Sequence, residues 1–259
     1  MALHVEPLPL HHDNYAYLLI DDVQAQAVVL DPTEGAPVLA SLSARGLRLT
    51  AIWCTHHHPD HVGGIDALAA AVPRVEVVAS VHDQKGARVP RQTRAVDEGD
   101  TLEFADVAFH VMAVPGHTLG ALAYVGGGQA FTGDTLFLGG CGRLFEGTAA
   151  QLLDSLDALA ALPAATRLWV GHEYTVRNLE FARLVEPKNA IIEARLEAAR
   201  ALRDAGHASV PGTLAEEHAS NPFLRTRAAE VREFASKNGA ESDAPAHILA
   251  ALRRAKDRF

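Results

Sequence analysis

Residues 55–61 read THHHPDH and directly follow an apolar run that is typical of a buried strand. Imidazole and carboxylate groups are metal ligands, and alternate residues of an extended segment point to the same side. His56 and His58 can therefore reach one cation, whereas Asp60 and His61, which lie beyond the bend at the proline, can reach a second. The stretch predicts a metal site at the end of a strand.

A histidine-rich surface loop and a purification tag are the two simpler explanations of this stretch. A tag would lie at a terminus, and it would lack both the apolar strand before the histidines and the Gly63-Gly64 pair after them. A surface loop would not require further ligand-bearing turns elsewhere in the chain, and such turns are present. The pattern therefore favours a metal site over both alternatives.

Three later segments each place a candidate ligand after an apolar run and beside a glycine. They are His117 in VPGHT, Asp134 in FTGDT and His172 in LWVGHE. Strand ends that converge on one edge of a sheet hold ligands rigidly, and glycine lets the backbone approach closely. Taken singly, such histidines are more often structural, and such an aspartate is more often a turn residue. Together with the first cluster, they predict a complete metal site.

The composition limits the class of protein. The chain has 259 residues, 48% of them apolar, which suffices for one large domain or a large domain with an appendage. No uninterrupted apolar stretch reaches about 18 residues, so neither a membrane span nor a membrane partner is predicted. The first residues do not resemble a secretion signal, and Cys54 and Cys141 do not suggest a disulfide framework. A cytoplasmic location is therefore the expectation.

The formal net charge of −9 argues against nucleic acid as a partner, because phosphate binding requires a basic surface. Residues 250–259 run against this trend, with four basic side chains and one acidic side chain. Arg253 and Lys256 are three residues apart and would share one face of a helix. They are candidates for binding an anionic ligand. Cations near a helix C-terminus are, however, also favoured by about 0.3–1 kcal/mol through the helix dipole alone.

The hydrophobic periodicity changes near residue 174, from short strands with a few helices to helical patterns broken by proline and glycine. We therefore predict a β-rich domain at residues 1–174 and a small helical domain at residues 175–259. The predicted strands are 15–20, 27–30, 49–54, 75–79, 101–104, 107–114, 121–125, 130–132 and 168–170. The predicted helices are 37–44, 65–71, 151–162, 179–185, 189–205, 227–237 and 246–256.

Longer motifs carry a family resemblance beyond the histidine stretch. They are TGDTLF at 132–137, GCGRLFEGT at 140–148, GHEYT at 171–175, FAR at 181–183 and RRAKDRF at 253–259. THHHPDH alone is typical of the whole metallo-β-lactamase superfamily, whereas GCGRLFEGT, GHEYT and the terminal RxxKDRF are much narrower. Together they make the chain similar, nearly from end to end, to the glyoxalase II (hydroxyacylglutathione hydrolase) family of that superfamily.

The resemblance implies an α/β (α+β) fold: a four-layer αββα metallo-β-lactamase sandwich that carries the chemistry, followed by a small all-helical substrate-binding domain. It also implies a centre of two divalent ions bridged by Asp134. The implied ligands are His56, His58 and His117 for one ion and Asp60, His61 and His172 for the other. Asp60 and Asp134 are the implied catalytic residues.

Two neighbours of these ligands are also singled out. Asp31, before Pro32, matches a structural aspartate of the superfamily that braces the histidine loop. A carboxylate that opens the turn at the proline explains Asp31 equally well. His57 is left over from the ligand set and is expected either behind the ligands or facing the solvent.

The reaction implied by the resemblance is hydrolysis of S-2-hydroxyacylglutathione, such as S-D-lactoylglutathione, to glutathione and a 2-hydroxy acid such as D-lactate, in methylglyoxal detoxification. A divalent ion lowers the pKa of bound water from about 15.7 toward about 7, and such a site polarises a carbonyl oxygen. A thiolate, with a parent pKa of about 8.5, can leave without a dedicated proton donor. No separate acid can be assigned in the sequence, which favours a thioester over a β-lactam.

Glutathione is anionic overall, so basic side chains are expected to bind it. In the family, the positions of Arg253 and Lys256 hold its glycine carboxylate together with those of Arg143 and Tyr174. Some members have lysine at position 143 and tyrosine at position 145. Because Phe145 lacks that hydroxyl, we leave it out of the binding set.

Nitrogen and oxygen ligands without a thiolate accommodate zinc, iron or manganese. Two zinc ions per chain are the expectation, with iron or manganese as alternatives. The expected partner is a small glutathione thioester, and no obligate protein partner is indicated.

Two other functions compete with this hydrolase. A single-iron persulfide dioxygenase of the same superfamily shares the histidine scaffold and a GCGR-like turn, but the FEGT continuation and the helical C-terminal region favour the hydrolase. A non-catalytic metal-binding module is disfavoured because this ligand set leaves coordination open for water, unlike a closed structural site. Metal content and oxygen consumption distinguish the dioxygenase from the hydrolase.

Overall fold

The computed structural model describes residues 3–259. Residues 1 and 2 lie outside the described residues. The predicted first domain begins with these two residues, and so does the N-terminal segment that does not resemble a secretion signal. The described chain forms two compact units by its internal contacts. The first comprises residues 3–113 and 120–133, and the second comprises residues 114–119 and 134–259.

The first unit is built mainly from strands. Its strands are β1 (Leu3–Leu10), β2 (Asn14–Asp21), β3 (Gln26–Leu30), β4 (Arg48–Trp53), β5 (Glu76–Ser80), β6 (Arg94–Val96), β7 (Thr101–Phe104), β8 (Val107–Ala113), β9 (Leu122–Gly126) and β10 (Gln129–Gly133). Its helices are α1 (Gly35–Arg45), α2 (Pro59–Val62), α3 (Ile65–Ala71) and α4 (Val81–Lys85). Strands β1 to β6 follow one another in a sheet that is antiparallel up to β3 and parallel from β3 onward.

Strand β2 is buried along its whole length, as its nearly continuous apolar sequence indicates. The parallel strands β3, β4 and β5 end at the same edge of the sheet. Backbone hydrogen bonds continue past their ends, from Asp31 N to Trp53 O at 3.0 Å and from Cys54 N to Val78 O at 2.9 Å. The residues that follow these strands are therefore held close together at one edge, where open α/β sheets commonly bind ligands.

Strands β7 to β10 form an antiparallel meander. Its aromatic side chains pack on the first sheet, with the ring centroids of Phe109 and Tyr124 each 5.3 Å from that of Trp53. The hydroxyl of Tyr124 also donates to the carbonyl oxygen of Cys54 at 2.8 Å. This contact fixes the backbone immediately before the histidine stretch.

The second unit contains short strands and most of the helices. Its strands are β11 (Leu136–Phe137), β12 (Gly140–Cys141), β13 (Arg167–Val170) and β14 (Gly212–Thr213). Its helices are α5 (Ala149–Ala160), α6 (Thr175–Val185), α7 (Ala190–Asp204), α8 (Leu214–Ser220), α9 (Ala229–Lys237) and α10 (Pro245–Arg258). Strands β11 and β12 form a tight antiparallel hairpin, and β13 pairs with β14.

Every predicted strand and helix is present in the structure. Their bounds agree to within two residues except at the start of α6, which begins four residues earlier than predicted, at Thr175. The prediction missed β1, β6, α2, α4, α8 and the two-residue strands.

Candidate metal centre

The histidine stretch leaves β4 and enters the short helix α2. His58 has an extended backbone and precedes Pro59, the first residue of the helix. Proline suits this position because its fixed φ matches the helix and its missing N–H needs no partner there. The chain therefore turns directly after His58, which separates His56 and His58 from Asp60 and His61.

Imidazole rings crowd together in this loop. The Nε2 atom of His56 lies 3.0 Å from Nδ1 of His58, and the ring centroid of His56 lies 4.1 Å from that of His61. His56 and His61 are buried, and His58 is half-buried. Closely spaced imidazole nitrogens are the arrangement that divalent transition metals prefer in proteins.

Asp31 braces this loop from the end of β3. Its Oδ1 accepts from the backbone N–H of Thr55 at 2.7 Å, and its Oδ2 accepts from the hydroxyl of Thr55 at 2.6 Å. The same Oδ2 lies 3.0 Å from Nδ1 of His61. Of the two explanations of Asp31, the structure therefore supports the brace. A carboxylate on one ring nitrogen orients the other toward a metal, so His61 presents Nε2.

Asp60 is held through its backbone and its side chain. Asn14 donates through Nδ2 to the carbonyl oxygen of Asp60 at 3.1 Å and to its Oδ2 at 3.2 Å. Thr33 donates to the same carbonyl oxygen at 2.6 Å. The Oδ2 atom of Asp60 lies 3.9 Å from Nε2 of His61, so both can face one ion.

His57 points toward Asp83, a partner that the sequence did not reveal. Its Nδ1 lies 3.1 Å from Oδ1 of Asp83, which is 0% exposed. Asp83 lies in the first turn of α4, where its N–H donates to the side chain of Ser80 at 3.0 Å. The only local signal is the Ser-x-x-Asp spacing of a helix start. His57 is thus packed behind the loop, with 17% of its side chain exposed.

The second unit brings together the three remaining predicted ligands. The Oδ2 atom of Asp134 lies 3.4 Å from Nε2 of His117 and 3.3 Å from Nε2 of His172. His117 donates through Nδ1 to the carbonyl oxygen of Arg143 at 2.9 Å, which leaves its Nε2 to face Asp134. The ring of His172 stacks on that of Tyr174 at 4.7 Å and 2°. All three ligands are buried.

The predicted substrate-binding residues differ widely in exposure. Arg143 is mostly exposed, and its Nε lies 3.5 Å from Oδ1 of Asp257. Arg253 is only 6% exposed, and it donates through Nη1 to the carbonyl oxygen of Cys141 at 2.6 Å. Its Nε and Nη2 atoms lie 3.2 and 3.1 Å from the same Oδ1 of Asp257. The sequence analysis missed this carboxylate, although its i, i+4 spacing from Arg253 was a local signal.

Lys256 lies over aromatic rings. Its Nζ is 5.3 Å from the ring centroid of Phe181 and 5.0 Å from that of Phe259, and it donates to the carbonyl oxygen of Arg177 at 2.8 Å. Burial, together with the positive charges of Arg253 and Arg177, lowers the pKa of Lys256 to about 7.

Neither cysteine is suited to bind a metal. Burial raises the pKa of the Cys141 thiol to about 11 and that of Cys54 well above its ordinary value. Both therefore stay protonated, and a thiol binds metals as its thiolate. The donor atoms that remain are imidazole nitrogens and carboxylate oxygens, which fit a divalent ion. Within the first unit, His56, His58, Asp60 and His61 lie close together, and within the second unit, His117, Asp134 and His172 do.

Comparison with known proteins accounts for both parts of the chain. A family model described as the metallo-beta-lactamase superfamily matches residues 12–172, and one described as the hydroxyacylglutathione hydrolase C-terminus matches residues 173–259. A hydroxyacylglutathione hydrolase from a Synechococcus species is 46% identical over 99% of this chain and 100% of its own length. One from Cupriavidus metallidurans is 48% identical over 99% of both chains. The chain belongs to the hydroxyacylglutathione hydrolase family.

Solved structures support the fold of this family. ETHE1 from Myxococcus xanthus is similar with a TM-score of 0.67 and 27% identity, over 98% of both chains. The protein TTHA1623, in a di-iron-bound form, is similar with a TM-score of 0.63 and 28% identity, over 85% of this chain and 100% of its own.

The predicted metallo-β-lactamase fold with a C-terminal helical region is confirmed, and so is the prediction of an enzyme of the hydrolase family. The fold, together with the histidine and aspartate groups, implies a divalent metal ion. None of the helices in residues 3–259 combines the length and the apolar character needed to cross a membrane.

Proposed function

We propose that this chain hydrolyses the thioester of an S-2-hydroxyacylglutathione, such as S-D-lactoylglutathione, to glutathione and a 2-hydroxy acid. The observation that carries the proposal is the identity of 46–48%, over nearly the whole chain, to proteins named hydroxyacylglutathione hydrolase. The proposed setting is methylglyoxal detoxification in the cytoplasm. The substrate is a free small molecule, and neither nucleic acid, a membrane nor an obligate protein partner takes part.

The ligand-bearing residues 1–174 form the catalytic domain, and residues 175–259 form the helical substrate-binding domain. One family match ends at residue 172 and the other begins at residue 173, which supports this division. Two divalent ions would be held by the predicted ligands, with Asp134 serving both. The clustering of His56, His58, Asp60 and His61 within the first unit, and of His117, Asp134 and His172 within the second, supports this set. Zinc is the proposed metal, with manganese or iron as alternatives, and the di-iron form of TTHA1623 supports iron.

The bound ions would supply a water of lowered pKa and polarise the thioester carbonyl. Asp60 and Asp134 are the catalytic residues, because their carboxylates would orient that water and balance the charge of the ions. Asp31 fixes the ring of His61, and the carbonyl oxygen of Arg143 fixes that of His117. The thiolate leaves without a proton donor of its own. This accords with the lack of an assignable acid in the sequence.

Arg143, Tyr174, Arg253 and Lys256 bind the tripeptide. Arg143 is exposed and free to turn toward a carboxylate at the expense of its long 3.5 Å contact with Asp257. Lys256 presents its ammonium from the same C-terminal helix as Arg253. Arg253 already donates to Cys141 and Asp257, so its remaining N–H groups are those available to substrate.

The test is a hydrolysis assay with S-D-lactoylglutathione in which thiol release and metal content are measured on one preparation. Stoichiometric thiol release without oxygen uptake, by a protein holding two ions, is the expected result. Oxygen uptake with glutathione persulfide and no thioester cleavage would instead assign the chain to the dioxygenase branch. Bound metal without either reaction would support a non-catalytic module.

A further inference from the structure

We propose that Glu217 and Asn221 are positioning residues for the metal centre. They hold the β11–β12 hairpin, and the hairpin in turn sets the places of the ligands Asp134 and His117. The inference rests on the proposed metal centre, but it concerns residues of the helical region that do not themselves bind metal or substrate.

The hairpin is held by side chains of the helical region at each of its residues from 137 to 141. Glu217 Oε2 accepts from Gly139 N at 2.7 Å. Asn221 donates through Nδ2 to the carbonyl oxygens of Phe137 at 3.2 Å and Gly140 at 2.9 Å. The two remaining contacts come from Asn178, to Leu138 O at 3.1 Å, and from Arg253, to Cys141 O at 2.6 Å.

Glu217 and Asn221 are both 0% exposed. They are bonded to each other at 2.9 Å, and Arg195 donates to the other oxygen of Glu217 at 2.7 Å. A buried charged pair of this kind is costly to desolvate, and apolar residues often stabilise a core equally well. Packing of α8 alone therefore does not explain a carboxylate at position 217. The carboxylate at position 217 is explained by its contact with the hairpin backbone, which it holds in place.

The hairpin is connected to one metal ligand at each end. Asp134 precedes it by two residues, and Gly142 follows it directly, donating to Thr135 O at 3.2 Å. A Cβ atom at Gly142 would lie 1.9 Å from the carbonyl oxygen of Asp134, so the two backbones are in direct contact. The next residue, Arg143, accepts the hydrogen bond from His117 Nδ1. Displacing the hairpin would therefore move Asp134 and release the ring of His117.

The test compares the variants Glu217→Ala and Asn221→Ala with the wild-type chain. Zn²⁺ affinity is measured by competition with a chromogenic chelator, without substrate, and the visible absorption spectrum of the Co²⁺-substituted protein reports ligand geometry. Loss of residues that orient metal ligands typically weakens metal binding about 10–100-fold. We expect a loss of Zn²⁺ affinity of this size, together with an altered Co²⁺ spectrum, in both alanine variants. Glu217→Gln, which retains one acceptor oxygen, should recover part of the affinity.

Glu186→Ala is the matched control. Glu186 is also buried, and it pairs with Arg225 at 2.9 Å in the same helical region, but within the described residues its side-chain bonds do not reach the hairpin. This control should lower Tm and leave Zn²⁺ affinity and the Co²⁺ spectrum unchanged.

Wild-type Zn²⁺ affinity in the position-217 and position-221 variants would overturn the proposal. An equal loss of affinity in the Glu186→Ala control would also overturn it. If Glu217→Ala does not fold, Glu217→Gln and Asn221→Ala decide the matter by the same two measurements. A wild-type chain that binds two ions without cleaving the thioester would contradict the proposed reaction alone, because the affinity assay contains no substrate.

Discussion

At the scale of single residues, the proposed ligands are oriented by carboxylates and carbonyls that lie outside the proposed ligand set. Asp31 is the clearest case, because one side chain bonds the backbone and hydroxyl of Thr55 and the ring of His61. Its backbone has φ of 48°, so the turn after β3 is shaped to deliver this carboxylate. The loop that carries the first four proposed ligands is therefore fixed from the neighbouring strand.

Replacing Asp31 by alanine should weaken Zn²⁺ binding about 10–100-fold, because His61 would lose the partner that orients it. Asp31→Asn, which keeps one acceptor for the N–H of Thr55, should lose less. Affinity is measured by chelator competition on the folded variants.

Asp21→Ala is the control for this prediction. Asp21 is also buried at a strand end, but its side chain accepts from the backbone of Val23 and Gln24 and shapes the turn after β2. Equal losses of affinity in Asp21→Ala and Asp31→Ala would show that general loss of stability, not ligand orientation, is responsible.

At the scale of elements, the C-terminal helix α10 carries two basic residues with different surroundings. Arg253 is buried against the hairpin carbonyl of Cys141, whereas Lys256, one turn later, is half-buried and packs on the rings of Phe181 and Phe259. Substituting Arg253 would therefore disturb the hairpin as well as any bound carboxylate. Lys256 is the cleaner probe of substrate binding.

Lys256→Met should lower kcat/KM for S-D-lactoylglutathione at least about tenfold, because a charge-assisted contact to a carboxylate is lost. The methionine retains an apolar chain over Phe181 and Phe259, so folding and metal content should be preserved. A small thioester without the tripeptide should be cleaved equally well by both proteins. Equal losses on both substrates would point to damage in the helical region and contradict the binding role.

The pKa of Lys256, lowered to about 7, predicts that substrate binding depends on pH. Burial is the main cause, the charges of Arg253 and Arg177 add to it, and Glu180 and Cys141 oppose it. A lowered pKa means that the ammonium is present below about pH 7 and is lost as the pH rises through that value. KM for the glutathione thioester should therefore rise across this range.

The variant Lys256→Arg keeps its positive charge at every pH tested. Its KM should therefore change little over the pH range in which the KM of the wild type rises. The measurement is KM against pH for both proteins, with metal occupancy checked at each point. The same rise in both would assign the dependence to another group.

Local sequence patterns predicted most of the strands and helices, but they missed several short elements and one edge strand. Strand β1 was missed because Pro7 and Pro9 interrupt its pattern, and the structure tolerates them at the edge of the sheet. Helix α8 was missed although Thr213 and Glu216 form a capping box, a signal that is readable in the sequence.

The candidate ligands follow strand ends and can be found in the sequence for that reason. The residues that support them cannot be found in this way. Glu217 bonds Gly139 across 78 positions, and His57 faces Asp83 from another element. Periodicity reports only neighbours along the chain, so contacts of this kind require the folded structure.

At the scale of the whole molecule, the proposed ligands come from four separate segments of the chain: 56–61, 117, 134 and 172. In the unfolded chain these segments are far apart, so bound ions favour the folded state. Each ion, present at about 1,000 times its Kd, would add about 4.1 kcal/mol to the free energy of unfolding. For a chain of this size, that corresponds to a Tm difference on the order of 10 °C.

Removing both ions with a chelator should therefore lower Tm by at least that amount, and re-adding Zn²⁺ should restore it. In Asp134→Ala, which lacks the proposed shared ligand, activity should nearly vanish and the chelator should change Tm much less. The measurement is calorimetry of each protein with and without chelator, with metal content determined before every scan. An unchanged Tm after complete removal of metal from the wild type would contradict the expectation, because ions that bind the folded chain and not the unfolded chain must stabilise the folded state.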